Sequence, residues 1–243
     1  MTLVPFDIYT RSTGTAMTKK KQKVKIQEFE NLENWLFFPT LVYKITKTNF
    51  LESVKSVAYE QIDKIGKKST GKPSVHQSEN IYLDPRLDEF SKYVADTAWN
   101  ILSSQGHRME GKFTSYTEMW AQEIEQYAFM PYHVHGSGNQ ISGFYFLDCP
   151  EEASKVIIYD PRPGKVQINL EETDVSKATY ASGMCNFTPE PGMLIFFNSW
   201  LPHAFGENLS ADPLRFIHFN LSIVENSTFL PMSQVDSAAP IVV

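Results

Sequence analysis

Two histidines one residue apart, His133 and His135, are the residues whose type and spacing most directly suggest chemistry in this 243-residue sequence. They end the segment PYHVH and are followed by the glycine-containing turn GSG. In an extended chain, side chains at positions i and i+2 leave the same face, so the two imidazoles should project together. Neutral imidazoles bind transition metals, and a third ligand would complete a three-sided site with open positions. The pair therefore predicts a metal site.

A third histidine, His203, is the candidate that completes this site. It stands in the segment WLPHAF, shortly after PGMLIFF, which is typical of a buried strand. Arg215 follows twelve residues later (215 − 203 = 12) and opens a further apolar segment, RFIHFNL. His218 lies three residues beyond Arg215, so strand alternation predicts that it faces the other side and has no role in the site.

The order of these segments resembles that of the iron(II)/2-oxoglutarate-dependent oxygenases. The shared order is a His-x-Asp motif or a variant of it, an SGFYFL-type strand, a PGMLIFF strand, a distal His and an Arg about a dozen residues later. More narrowly, HVH followed by SGFYF is similar to a subgroup of oxygenases from marine bacteria and their tailed phages. The resemblance covers residues 119–223, less than half of the chain. It implies a double-stranded β-helix (jelly roll) that binds Fe(II), consumes 2-oxoglutarate and O2, hydroxylates a substrate and releases succinate and CO2.

The resemblance also implies a ligand set. His133 and His203 would bind the iron, while His135 stands where the family usually has Asp. Either His135 binds directly, or a carboxylate from elsewhere replaces it, for which Asp160 is the local candidate. Three neutral imidazoles would leave the site with two positive charges rather than one, which favours binding of dianionic 2-oxoglutarate.

Other roles follow from the same resemblance. Arg215 would hold the distal carboxylate of 2-oxoglutarate, because a planar guanidinium offers two parallel donors. Related enzymes add a Tyr hydroxyl just before the Leu of the next strand, where this sequence has Phe146. Ser142 and Tyr145 are therefore candidates to bind the co-substrate instead, together with Asn220. Independently of the resemblance, contacts to the primary substrate are predicted for Trp120 and Gln122, which alternate along the strand before the site, and for Arg162 and Trp200, which lie close to the motif segments.

A rigid sheet is needed to position these residues, and the sequence predicts a mainly β protein. Short aromatic and β-branched segments lie at 113–124, 127–135, 141–147, 155–159, 192–197 and 215–224. A strand-like segment at 36–45 and two amphipathic helices at 51–65 and 88–104 precede them and should support the sheet from outside. The geometry of the polar insertion at 170–190 is not predicted.

These patterns suggest four parts of the chain. They are a flexible basic arm (1–24), a support region of helices and a strand (25–112), the catalytic jelly-roll core (113–226) and a C-terminal tail (227–243). Residues 25–226 are expected to form one domain.

The composition of the chain favours some classes of function and cellular location over others. A net charge of −6 and 42% hydrophobic residues are typical of a globular protein and do not favour nucleic acid as a partner. The sequence has no signal core and no apolar run of about 20 residues, which predicts a cytoplasmic protein (host cytoplasm if phage-encoded) without a membrane partner. Cys149 and Cys185 are expected as free thiols, with one disulfide as the alternative. A homo-oligomer is compatible with the sequence.

Two other functions stay open at this point. A cupin-like metal dioxygenase would use the three histidines without 2-oxoglutarate, and Arg215 would then be dispensable. A non-catalytic β-sandwich binding or structural module would have a filled core or a closed metal sphere. No motif identifies the primary substrate.

Overall fold

The computed structural model describes Glu33, Trp35 and residues 37–65, 72–136, 138–168 and 170–225. The chain divides into two compact units, residues 1–39 and 40–243. In the described part of the first unit, the rings of Trp35 and Phe37 stack. The predicted basic arm (1–24) and C-terminal tail (227–243) lie outside the described residues.

The described part of the second unit contains two α-helices and ten strands. In chain order they are β1 (Val42–Thr46), α1 (Leu51–Lys64), β2 (Val75–Gln77), α2 (Asp88–Ser104), β3 (Lys112–Ile124), β4 (Met130–His133), β5 (Ile141–Asp148), β6 (Val156–Tyr159), β7 (Met184–Phe187), β8 (Met193–Asn198), β9 (His203–Phe205) and β10 (Leu214–Glu225).

The strands form two antiparallel sheets. One has the order β1-β8-β5-β10-β3-β2, and the other has the order β4-β9-β6-β7. Neighbours in both sheets are mostly far apart in sequence, as in a jelly roll, where the chain crosses repeatedly between the sheets. The prediction of a mainly β jelly roll with supporting N-terminal helices is confirmed.

The six-stranded sheet is buried on both faces. Phe144 and Phe216 belong to an apolar cluster on one face, together with Phe205 of the smaller sheet. Tyr145 and Phe219 point to the other face, into a cluster with the apolar sides of α1 and α2. Burial on two faces explains why β5 is apolar along most of its length instead of alternating.

Several element predictions can be compared with the fold. The helices match the predicted segments closely, because their apolar stripes repeat with a period of 3.6. The strands predicted at 36–45 and 127–135 are shorter than expected, and β2, β7 and β9 were not predicted. Both cysteines are free thiols. Within the described ranges, no helix is long and apolar enough to cross a membrane.

Candidate metal centre

Three predicted ligand residues come together at the smaller sheet. His133 ends β4 and pairs with His203 at the start of β9. His135 follows β4, and its backbone N–H donates to the Ser199 carbonyl at 2.9 Å. The candidate ligand nitrogens of the three imidazoles all lie within 4.8 Å of one another. The fold therefore brings side chains from two strands and a loop to one point.

Backbone carbonyls orient two of the three rings. Nδ1 of His133 lies 2.7 Å from the Pro131 carbonyl oxygen, and Nδ1 of His203 lies 2.9 Å from that of Leu201. Because a carbonyl only accepts, each Nδ1 carries the proton and donates. The lone pair of each Nε2 is then available to a metal, which is the usual arrangement of metal-binding histidines.

His135 is held differently, by side chains. Its Nε2 lies 3.2 Å from Nε2 of His203, which must accept because its own proton is on Nδ1. His135 therefore donates from Nε2, and its Nδ1 accepts from the Asn220 amide at 3.3 Å. Metal binding through Nε2 would require this proton to move to Nδ1. The Asn220 side chain would then have to turn so that its oxygen accepts that proton.

Burial keeps the two inner imidazoles neutral. Desolvation lowers the pKa of His203 to about 3, partly opposed by its hydrogen bond to Leu201 and assisted by the neighbouring imidazoles. Desolvation, followed by the charge of His133, lowers the pKa of His135 to about 4. Neutral imidazole is the form that binds a metal, so neither ring has to release a net proton before it binds near pH 7.

This donor set fits a divalent transition-metal ion. Metal–imidazole bonds of about 2.1 Å place nitrogens on adjacent coordination positions about 3 Å apart. The distance of 3.2 Å between Nε2 of His135 and Nε2 of His203 suits that arrangement. Imidazole ligands suit iron, zinc, copper and nickel, so the residues present fit Fe(II) without being specific for it.

Asp160, the predicted alternative ligand, is not part of this group in the described structure. Its carboxylate accepts from Nε and Nη2 of Arg162 at 2.9 and 2.6 Å. The backbone N–H of Arg162 also donates to it, as expected of an Asp-Pro turn. Those hydrogen bonds lower the pKa of Asp160. Arg162, predicted to contact substrate, has an exposed side chain held in the same ion pair.

Arg215 also lies away from the histidines, and its predicted role as the 2-oxoglutarate anchor is wrong. Its Nε is 2.7 Å from Glu123, and its Nη1 is 3.2 Å from Asp148. The guanidinium lies over the ring of Tyr59 in α1, 5.3 Å from the centroid. Arg215 therefore belongs to an ion-pair network on the helix-facing side of β10. The predicted anchor for the distal carboxylate does not fit this structure.

His218, predicted to face away, lies beside the metal centre. Its ring stacks on that of Trp120, with centroids 4.6 Å apart, and its centroid is 4.5 Å from that of His135. Alternation correctly placed Arg215 and His218 on opposite faces of β10, but the two faces were assigned the wrong way round. The signal that could have identified His218 is its position between the apolar residues Ile217 and Phe219 in the middle of a strand.

The residues predicted to bind the co-substrate are divided between the two faces. Ser142 donates to Asn220 Oδ1 at 2.6 Å and lies 3.0 Å from the Ser199 hydroxyl, so it belongs to the network behind His135. Tyr145 points to the helices instead, where its hydroxyl donates to the Lys47 carbonyl at 2.6 Å. Its prediction as a cofactor-binding residue is therefore wrong, because β5 is buried on both faces and Tyr145 packs on the helix side.

The remaining predicted substrate contacts are near the centre to different degrees. Trp120 stacks on His218 and lies opposite it in the β3–β10 ladder. Gln122, two residues along the same face of β3, is 3% exposed. Trp200 is exposed in the turn that follows β8, next in sequence to Ser199, whose carbonyl accepts from the His135 backbone.

A second group of potential metal ligands is formed by His76, Glu123 and Glu125. His76 is paired with Glu125 at 2.9 Å, and Glu123 is paired with Arg215. A guanidinium in direct contact with one carboxylate opposes the binding of a cation there. This group is therefore an ion-pair cluster in the described structure.

Comparison with known proteins supports the oxygenase superfamily. Residues 118–220 match a protein-family model described as "Putative 2OG-Fe(II) oxygenase". The matched segment contains all three histidines of the metal centre. No curated protein matches the sequence.

Several solved structures share the fold. AviO1 from Streptomyces viridochromogenes is 14% identical, with a TM-score of 0.54 over 75% of this chain and 90% of that chain. The non-heme alpha ketoglutarate dependent carbocyclase SnoK from nogalamycin biosynthesis is 11% identical, with a TM-score of 0.55 over 75% and 79%. A Pseudomonas putida prolyl-4-hydroxylase is 12% identical, with a TM-score of 0.50 over 75% and 93%. At these identities, the similarity establishes the fold alone.

Proposed function

We propose that this protein is an Fe(II)- and 2-oxoglutarate-dependent dioxygenase whose metal ligands are His133, His135 and His203. The observation that carries the proposal is the convergence of these imidazoles within 4.8 Å of one another, inside a segment that matches an oxygenase family. In the net reaction, a substrate C–H group, O2 and 2-oxoglutarate give the hydroxylated product, succinate and CO2. The narrower relation to marine bacterial and phage proteins stays a prediction.

Iron held by three imidazoles would keep coordination positions open and supply the chemistry of oxygen activation. The chain itself orients the ligands: carbonyls of Pro131 and Leu201 fix two rings, and Asn220 contacts the third. Buried phenylalanines surround His203, whose ring is 4.7 Å from that of Phe197 and 5.7 Å from that of Phe144. Their role would be to exclude water from one side of the metal.

A second candidate is a three-histidine dioxygenase that does not use 2-oxoglutarate. It is favoured by one observation, the engagement of Arg215 with Glu123 and Asp148 on the opposite face of β10. The contacts that the structure gives the three histidines are with other histidines, phenylalanines, Asn220 and backbone groups, and none of these partners is a cation. The metal centre would be the same, but the co-substrate would differ.

Anaerobic titration with Fe(II) and then 2-oxoglutarate separates the two candidates. We expect Fe(II) binding in the wild type, a visible charge-transfer band after addition of 2-oxoglutarate, and succinate release on admission of O2. His203→Ala should abolish all three signals, whereas His107→Ala, which changes an exposed loop histidine, should abolish none. His135→Asp should retain iron binding, because it recreates a face of two histidines and one carboxylate.

Two other results of this titration would exclude one or both of the candidate functions. Iron binding without a band or succinate would exclude 2-oxoglutarate and support the second candidate. Absence of iron binding in the wild type would exclude both candidates and leave a non-catalytic β-sandwich.

A further inference from the structure

Three buried polar atoms next to the metal centre have no hydrogen-bond partner among the described residues. They are Nε1 of Trp120, Oε1 of Gln122 and Nδ1 of His218. Gln122 and His218 are 3% and 1% exposed. Leaving such an atom without a partner is unfavourable, because the atom loses its hydrogen bonds to water and gains none in return. A group of them in one place therefore indicates that something else completes their hydrogen bonds.

The three side chains occupy adjacent positions on one face of the large sheet. Trp120 lies directly opposite His218 in the β3–β10 ladder. Gln122 is two residues further along the same face of β3, about 7 Å away along the strand. The stacked rings of Trp120 and His218 are followed by His135, 4.5 Å from His218. This group, here called the Trp120 subsite, is thus one ring away from a candidate metal ligand.

The hydrogen-bonding character of each atom is fixed by chemistry or by its neighbours. The indole N–H of Trp120 can only donate, and the carbonyl oxygen of Gln122 can only accept. Nε2 of His218 lies 3.2 Å from Oδ1 of Asn220 and must donate to it, so Nδ1 of His218 is left as an acceptor. The Trp120 subsite therefore offers one donor and two acceptors.

We propose that the Trp120 subsite binds a neutral group that both donates and accepts hydrogen bonds, such as the carboxamide or ureide of the primary substrate. A carboxylate does not fit, because it has no proton to offer the two acceptors. The oxygen of a carboxamide would accept from Trp120, and its N–H groups would donate to Gln122 and His218. The inference rests on the proposed function only in taking this ligand to be the substrate.

The indole N–H of Trp120 provides a direct probe of the subsite. The sequence contains four tryptophans, so a ¹H–¹⁵N spectrum of the full chain should show four indole peaks, and Trp120→Phe identifies one of them. Titration of chelator-treated protein with propionamide should shift the Trp120 peak downfield, as expected of a new hydrogen bond. Propionate at the same concentrations should leave the peak unchanged.

A matched pair of variants tests the role of Gln122. Gln122→Met keeps the length of the side chain but removes the acceptor, and should weaken propionamide binding about tenfold, the effect of one buried hydrogen bond. Gln77→Met makes the same change at the facing position of β2, where the side chain is exposed, and should leave binding unchanged. The dispersion of the remaining indole peaks verifies that both variants are folded.

Two results would overturn the inference. A Trp120 peak that does not move with propionamide would mean that buried water alone completes these hydrogen bonds. An equal shift with propionate would contradict the selection for a neutral group. Because the titration needs neither iron nor 2-oxoglutarate, failure here leaves the proposed function intact. A positive titration in a protein that binds no iron would instead reject the proposed function alone.

Discussion

The two faces of β10 carry different kinds of polar group. On the face toward the smaller sheet, His218 and Asn220 are buried and neutral, and they bond to other neutral side chains and to the partly buried Glu118. On the face toward the helices, Arg215 is charged and lies between the carboxylates of Glu123 and Asp148. Lys55 of α1 completes that network with a 3.0 Å contact to Asp148.

The difference shows how a small protein can bury polar groups for two purposes. A buried charge needs opposite charges around it, and the helix-facing network supplies them to Arg215. Burial alone would raise the pKa of Asp148, but hydrogen bonds from Tyr59, Lys55 and Arg215 outweigh it and lower that pKa. Neutral imidazoles can be buried without a counter-charge, so they stay available to a cation. One face therefore stabilises the fold, and the other can carry chemistry.

Removing Arg215 should have the largest effect on stability and little effect on metal binding. Arg215→Met leaves the fully buried Glu123 without its guanidinium partner, which should lower the free energy of unfolding by about 3 kcal/mol. Urea denaturation measures this loss of stability. The affinity of the folded variant for Fe(II) should change by less than about twofold, because Arg215 does not contact the histidines. A stable variant with weakened 2-oxoglutarate binding would contradict the assignment of Arg215 to the structural face.

The matched control for that substitution removes both charges. Arg215→Met combined with Glu123→Leu should recover most of the lost stability, because the buried carboxylate that the guanidinium contacts is removed with it. Asp148 keeps its contacts with Lys55 and Tyr59 in the double variant. A double variant less stable than Arg215→Met would mean that the carboxylate is not the source of the loss.

Gly143 tests how tightly the helix-facing side is packed. A Cβ at this position would lie 2.2 Å from the Ile195 carbonyl oxygen and 2.5 Å from the ring of Phe219. Gly143→Ala should therefore lower the free energy of unfolding by about 1–3 kcal/mol through overpacking, measurable by thermal denaturation. The equivalent change at the exposed Gly164, where no atom lies within 4 Å of the new Cβ, should be nearly neutral. Equal effects at the two positions would exclude close packing as the cause.

On the metal face, Asn220 is expected to act through His135. Asn220→Ala removes the side chain that contacts Nδ1 of His135 and whose oxygen would accept the Nδ1 proton when Nε2 binds the metal, so the ring loses the group that orients it. Fe(II) affinity should fall about tenfold, as expected for loss of a group that orients a metal ligand. Anaerobic calorimetry measures the change, with Asn186→Ala on the exposed side of β7 as the control. Unchanged affinity would remove Asn220 from the centre.

The last expected effect is a pH dependence of stability, which is absent near neutral pH and appears only as the solution becomes acidic. The pKa values of His135 and His203 are about 4 and about 3 in the folded protein, below the value of about 6.5 in an unfolded chain. Between these values the unfolded chain binds more protons, so the free energy of unfolding should decrease as pH falls from about 6.5 toward 4. In metal-free protein, His203→Gln should make this decrease shallower. An identical pH profile would contradict the neutral, buried state.

The sequence predicted much of the fold because its periodic patterns are set locally. The helices and the central strands β3, β5, β8 and β10 follow from such patterns, and alternation places His133 beside His135. The inclusion of His203 in the group came from the resemblance to the oxygenases instead. β9 is only three residues long, and β7 lies in a polar insertion, so neither gives a periodic signal.

The error at Arg215 has a different origin. Alternation states that Arg215 and His218 face opposite ways, but not which of them faces the histidines. That choice depends on the path of residues 206–213 and on how β10 pairs with its two neighbours, β3 and β5. In the pairing with β5, the register shifts next to Arg215. Both depend on contacts between residues far apart in sequence, and such contacts cannot be predicted from the spacing of residues along the chain.

X-ray absorption spectroscopy of the Fe(II)-loaded protein tests the central claim most directly. We expect one bound iron per chain, with scattering from three imidazole rings in the wild type and from two rings in His135→Ala. A chain that binds no iron, or a ring count that is the same in wild type and variant, would contradict the three-histidine centre.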